Sequence, residues 1–66
     1  MKYLIKLTPR AAKWEWAVYR GDSCVNNGTA RDEVDATNKA KAAADMDAEM
    51  NGNPDRFAFD YETTGT

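Results

Sequence analysis

The chain is predicted to fold as a small α+β domain of β-β-β-α-β order, a mostly antiparallel four-stranded sheet with one helix packed on one face. Three observations predict it. Apolar and polar residues alternate over residues 2–8, 13–20 and 56–63, which is the period of half-buried strands. Gly21-Asp22 directly follows the second of these runs with glycine first, as a two-residue type II′ hairpin turn prefers. An alanine-rich run then repeats at helical period and ends at Asn51-Gly52-Asn53-Pro54. A chain of 66 residues makes one domain, residues 1–66, with a small core.

The first strand, residues 2–8, sets Tyr3, Ile5 and Leu7 on one side and Lys2, Leu4, Lys6 and Thr8 on the other, and Pro9 ends it. The second, residues 13–20, sets Trp14, Trp16 and Val18 opposite Lys13, Glu15, Ala17 and Tyr19. A third covers about residues 23–28, although Asn26-Asn27-Gly28 is poor in strand formers. Thr29 and Asp32 are spaced as a capping box, so the helix is expected to start there, with Asp32, Glu33 and Asp35 complementing its dipole. It is expected to run to about Met50 and to stop at Gly52, which can take the left-handed conformation that ends a helix. Ala36, Ala40, Ala43, Ala44 and Ala48 share one side of it; Arg31, Asp35, Asn38, Asp45 and Glu49 share the other. Asp47 falls inside the alanine sector and is expected to reach water by fraying of the helix end. The last strand, residues 56–63, puts Phe57, Phe59 and Tyr61 on one face, and pairing it parallel to the first strand gives the sheet order 3-2-1-4. The large residues of three strands would then meet the alanines of the helix, with Trp14 and Trp16 in the core.

Composition narrows the function. Histidine is absent, so neither a Ser-His-Asp nor a Cys-His centre can be assembled, and no histidine is available as a general base or zinc ligand. The four glycines stand singly, which excludes the phosphate-cradling loops. Residues 47–52 echo the opening of a calcium loop, but its twelfth position is Ala58 rather than a bidentate glutamate, and the segment reads as a helix end. The expectation is a protein that is not an enzyme and uses no cofactor, no metal and no small-molecule substrate. Cys24 is the only cysteine, which rules out an intrachain disulfide, and it reads as a small, half-buried strand residue. Lys2 and Lys6 interrupt the first apolar run, and nothing approaches the roughly 20 apolar residues of a membrane span, so the cytoplasm is the expected compartment.

Charge is the strongest pointer to a partner. Residues 1–31 carry six basic and two acidic groups, whereas residues 32–66 carry three basic and nine acidic ones. Such a dipole suits association with a charged macromolecule. The candidate partner-binding residues are the acidic helix positions Asp32, Asp35, Asp45, Asp47 and Glu49, which would seek arginines and lysines that normally hold nucleic acid. The alternative surface is the uncovered sheet face, where Lys6, Lys13 and Tyr19 would bind, with Leu4, Arg56 and Ala58 nearby.

The segment 14–22, then Val25, Gly28-Thr29-Ala30 and the alanine-rich helix, resembles the hairpin-plus-helix of many small phage and mobile-element proteins. One relative of that shape is the arm-type DNA-binding domain of tyrosine recombinases, which implies a sheet that reads the major groove. This chain departs from it in its acidic helix and its added fourth strand, and phosphate contacts dominate DNA affinity. As a small, acidic, single-sheet protein it also resembles phage-encoded inhibitors of bacterial defence, including the anti-CRISPR proteins, which implies covering a nucleic-acid or partner surface on a host protein or nucleoprotein complex. The expected function is such an inhibitor; the alternatives are a small DNA-binding accessory domain and a structural or assembly subunit. A homodimer through an edge strand is compatible with each.

Overall fold

The computed structural model describes residues 2–53 and 59–63. Strands β1 (Tyr3–Pro9), β2 (Trp14–Arg20) and β3 (Ser23–Ala30) are followed by helix α1 (Glu33–Asn51) and strand β4 (Phe59–Thr63). The sheet order is β3-β2-β1-β4, with β1 antiparallel to β2, β2 antiparallel to β3, and β4 parallel to β1. This is the α+β arrangement and the strand order that the sequence predicts. Of the last predicted strand, residues 56–58 and with them Arg56, Phe57 and Ala58 lie outside the described residues.

Register decides which residues share a face. Ile5 lies opposite Val18 and Leu7 opposite Trp16, so these four point to the same side, toward α1. Residues 10–13 make the β1–β2 connection, closed by the Arg10 amide donating to the Lys13 carbonyl at 2.8 Å; Gly21-Asp22 joins β2 to β3, with Gly21 at φ 64 and no positive φ outside glycine among the described residues, the sign pattern of a type II′ turn. Against the sheet, Ala36, Ala40, Ala44 and Ala48 form a stripe at every fourth residue and are all buried. Their methyl groups let the helix axis approach, and the volume of the core comes from Tyr3, Ile5, Leu7, Trp16 and Val18. Trp14 departs from the expectation: it packs on the core but stays half-buried, at the end of β2 opposite Pro9 and Ala30. Phe59 is likewise half-buried, and Tyr61 is 49% exposed, because α1 lies over β1, β2 and β3 rather than over β4.

Gly28 is required by a close approach. It pairs with Trp16, and a Cβ placed on it would lie 2.8 Å from the indole ring, so the missing side chain is the space the ring fills. That contact explains how a segment poor in strand formers is held in the sheet. β3 therefore extends beyond the expected end at Gly28, to Ala30. Thr29 pairs with Glu15 inside the strand and does not cap the helix. The N-cap is Asp32, whose side chain accepts from the Asp35 amide at 2.7 Å, and α1 starts at Glu33. Arg31 accordingly precedes the helix instead of standing on its outer face. The C-terminal stop is as expected: Gly52 is left-handed at φ 65, and the Ala48 carbonyl accepts from Gly52 and, at 2.9 Å, from Asn53.

Asp47 corrects a second expectation. The helix does not fray there. The phenol of Tyr3 donates to Asp47 Oδ2 at 2.8 Å, Arg20 donates to the same oxygen at 2.7 Å, and Asn51 donates to Oδ1 at 3.0 Å. Tyr3 and Arg20 are directly opposite each other at the end of the β1–β2 ladder, so the sheet presents two donors where the helix presents its one inward acid.

Candidate interaction surface

The helix carries its carboxylates in two groups. Asp32 and Asp35 lie at its start, where they also serve the helix itself: Asp32 as cap, within 3.9 Å of Arg31, and Asp35 in an ion pair of 3.3 Å with Lys39 one turn on. Asp45 and Glu49 lie one turn apart toward its end, where no basic residue occupies the last turn. Asp47 is separated from this set. Its side chain is 18% exposed and both of its oxygens are engaged inside the fold, so it holds the helix to the sheet instead of facing a partner. The phenol of Tyr3 is pushed above its ordinary pKa, by burial first and then by the adjacent carboxylate, both of which favour the neutral O–H that donates to Asp47.

The other sheet face is made of Leu4, Lys6 and Thr8 on β1 and Glu15, Ala17 and Tyr19 on β2. All of these except Leu4, together with Asn27, border an open trough of about 420 Å³. Lys6 holds its ammonium 5.0 Å from the centre of the Tyr19 ring, a cation–π contact that places two of the predicted sheet-face residues together. Lys13 stands apart from them, exposed just ahead of β2. What the sequence reading missed is the charge that β4 adds. Asp60 and Glu62 come to the same face beside Leu4 and Lys6, so that Lys2 meets Asp60 at 3.6 Å and Lys6 meets Glu62 at 3.7 Å. Arg10 closes on Glu15 at 3.0 Å, and this contact holds the Glu15 carboxyl below the usual range. The alternation of Phe59, Asp60, Tyr61 and Glu62 carried the signal, because parallel pairing with β1 forces the two acids onto the face of the lysines.

Cys24 is exposed, not half-buried: it faces the open side of an edge strand opposite Tyr19, with Sγ 3.5 Å from the Asn26 carbonyl oxygen. A third surface lies along the other flank of α1. Met46 and Met50 are 64% and 80% exposed beside Val25 of β3, around a shallow groove of about 180 Å³. Among the described residues no group of three or more cysteine, aspartate or glutamate side chains is placed to hold a metal ion, and no helix is long and apolar enough to cross a membrane. No protein-family model matches the chain, and no curated protein or solved structure is similar to it at a significant level.

Proposed function

We propose that this domain is a non-enzymatic inhibitor of phage type, which binds a host defence protein or nucleoprotein complex and covers a surface that otherwise holds nucleic acid. The observation that carries this reading is the row of carboxylates along α1. Asp32, Asp35, Asp45 and Glu49 extend over about 25 Å at the helical rise, with Arg31 beside the first and Lys39 beside the second, and on the open sheet face Lys2 and Lys6 are set against Asp60 and Glu62. A row of carboxylates suits a basic groove, and a neutralised sheet gives little of the phosphate affinity that a DNA-reading domain needs. A DNA-binding domain of recombinase-arm type would have to work through that sheet face, and it is the second reading.

The test is expression in bacteria that carry an active nucleic-acid-targeting defence system, with phage plating as the readout. Wild-type protein is expected to restore plating, and the triple variant Asp35→Lys, Asp45→Lys, Glu49→Lys to lose that effect while melting as a folded domain. Plating that stays blocked across the main classes of such systems, or salt-sensitive binding of DNA by the isolated protein through Lys6 and Tyr19, would overturn the proposal.

A further inference from the structure

The two edges of the sheet differ in a way that points to a second copy of this chain. β4 carries Asp60 and Glu62, charges that discourage edge-to-edge pairing. β3 has neither a charge nor a proline in its eight residues, and no described strand lies against its outer edge. It is interrupted by a bulge, where Val18 pairs with Asn26 and Tyr19 with Cys24, which leaves Val25 as the extra residue, and the Asn26 side chain accepts from the Asn27 amide at 2.9 Å, a local bond that a pairing strand would have to replace. Beyond the bulge, the five residues from Asn26 to Ala30 pair regularly with β2. Directly above this edge, α1 displays Met46 and Met50, large apolar side chains that its own sheet does not cover.

We propose that two copies pair antiparallel through β3, about a two-fold axis perpendicular to the sheet at Asn27, to form a continuous eight-stranded sheet. Such an axis keeps both helices on the same side. Because α1 lies over β1, β2 and β3, centred on β2, the two helices are separated by three strand spacings, about 14 Å. Direct helix contact needs about 8–10 Å, so a gap of one side-chain layer remains, and Met46 and Met50 of both copies fill it. The charges agree with this pairing and with antiparallel direction. β3 is preceded by Asp22 and followed by Arg31 and Asp32, so that each Arg31, whose side chain is 87% exposed, falls opposite Ser23 of the other copy and between its own Asp32 and the Asp22 of the other copy, which face each other in this register. The arrangement is isologous, and the same complementarity is made twice. It uses the β3 flank of the helix, and of the acidic residues assigned above to a host target only Asp32, beside Arg31, lies near it.

Sedimentation equilibrium of the full chain is expected to show a monomer–dimer equilibrium at micromolar concentrations. Met46→Lys with Met50→Lys, both at exposed positions, should raise the dimer dissociation constant about tenfold or more without changing the far-ultraviolet circular dichroism. The axis is tested by Asn27→Cys in a Cys24→Ser background. Cysteines facing each other across an antiparallel pair lie within disulfide reach, so this variant should oxidise to a covalent dimer, whereas Ser23→Cys in the same background should not. A monomer at every concentration up to the solubility limit would overturn the proposal. So would a dimer indifferent to the methionine substitutions, or a β3 edge that takes up a foreign extended peptide and no second copy.

Discussion

On the side of the sheet that faces α1, Tyr3, Ile5, Leu7, Trp16 and Val18 are shut away from water; one step along the same strands, Leu4, Lys6, Thr8, Glu15, Ala17 and Tyr19 all keep part of their surface exposed. The first side is held by burial and by fit, each large side chain contributing roughly 1.5 to 3 kcal/mol. The second is held by pairs of opposite charge across strands, which in water are worth about 0.2 to 1 kcal/mol each. Alternation therefore divides one sheet into a face that carries the stability and a face free to vary its chemistry. Arg20 and Asp47 stand at the rim of the first face, where an ion pair is partly shielded and also satisfies a buried phenol.

The largest effect expected from breaking this contrast is at Trp16. Trp16→Ala should cost about 3 to 5 kcal/mol, whereas Trp14→Ala, at a half-buried site, should cost about half as much. Denaturant unfolding followed by circular dichroism separates the two, and equal losses would show that the end of β2 is as well packed as its middle. Gly28→Ala tests the same packing from the opposite strand. It should cost about 1 to 3 kcal/mol, because the indole has to shift to admit the new methyl group.

The rim is next in size. Asp47→Ala leaves the Tyr3 hydroxyl and the Arg20 guanidinium without their acceptor and should cost about 1 to 3 kcal/mol, toward the lower end because solvent reaches Arg20. The pH dependence has a definite sign. Since the Tyr3 pKa is raised in the fold, its contribution is complete below the ordinary value of 10.0 and is lost as pH rises through the folded value. The stability advantage of the wild type over Tyr3→Phe should therefore shrink in alkaline solution, and an advantage that grew there would disprove the assignment of the hydrogen bond.

The smallest effect is expected on the open face. Lys6→Ala and Glu62→Ala should each lower stability by no more than about 1 kcal/mol, and their double-mutant coupling should vanish in high salt. A coupling that survived high salt would mean that the open face is covered by another molecule.

Strand period, the Gly21-Asp22 turn and the Gly52 stop were legible in the sequence because each depends on a few neighbouring residues whose conformational preferences are local. The alanine stripe was legible for the same reason, since four residues at a spacing of one turn leave little choice of which side meets the sheet. The start of the helix was misread because Thr29 and Asp32 both have capping chemistry, and only the pairing of Thr29 with Glu15 across the sheet shows which one caps. In the candidate surfaces, the exposure of Asp32 and Glu49 followed from the local sequence, but the half-burial of Asp35 and Asp45 and the loss of Asp47 from that set did not.

By itself the sequence determined the order of elements, the two faces of each strand and the small-residue side of the helix, because backbone period and turn chemistry act over a few residues. Only the tertiary structure decided the rest: that Tyr3 and Arg20 meet at one end of a ladder and receive Asp47, that Trp16 occupies the space above Gly28, and that Asp60 and Glu62 neutralise Lys2 and Lys6. Each of these depends on register between strands that are distant in the chain, and a shift of one residue would have sent the same side chains to opposite faces.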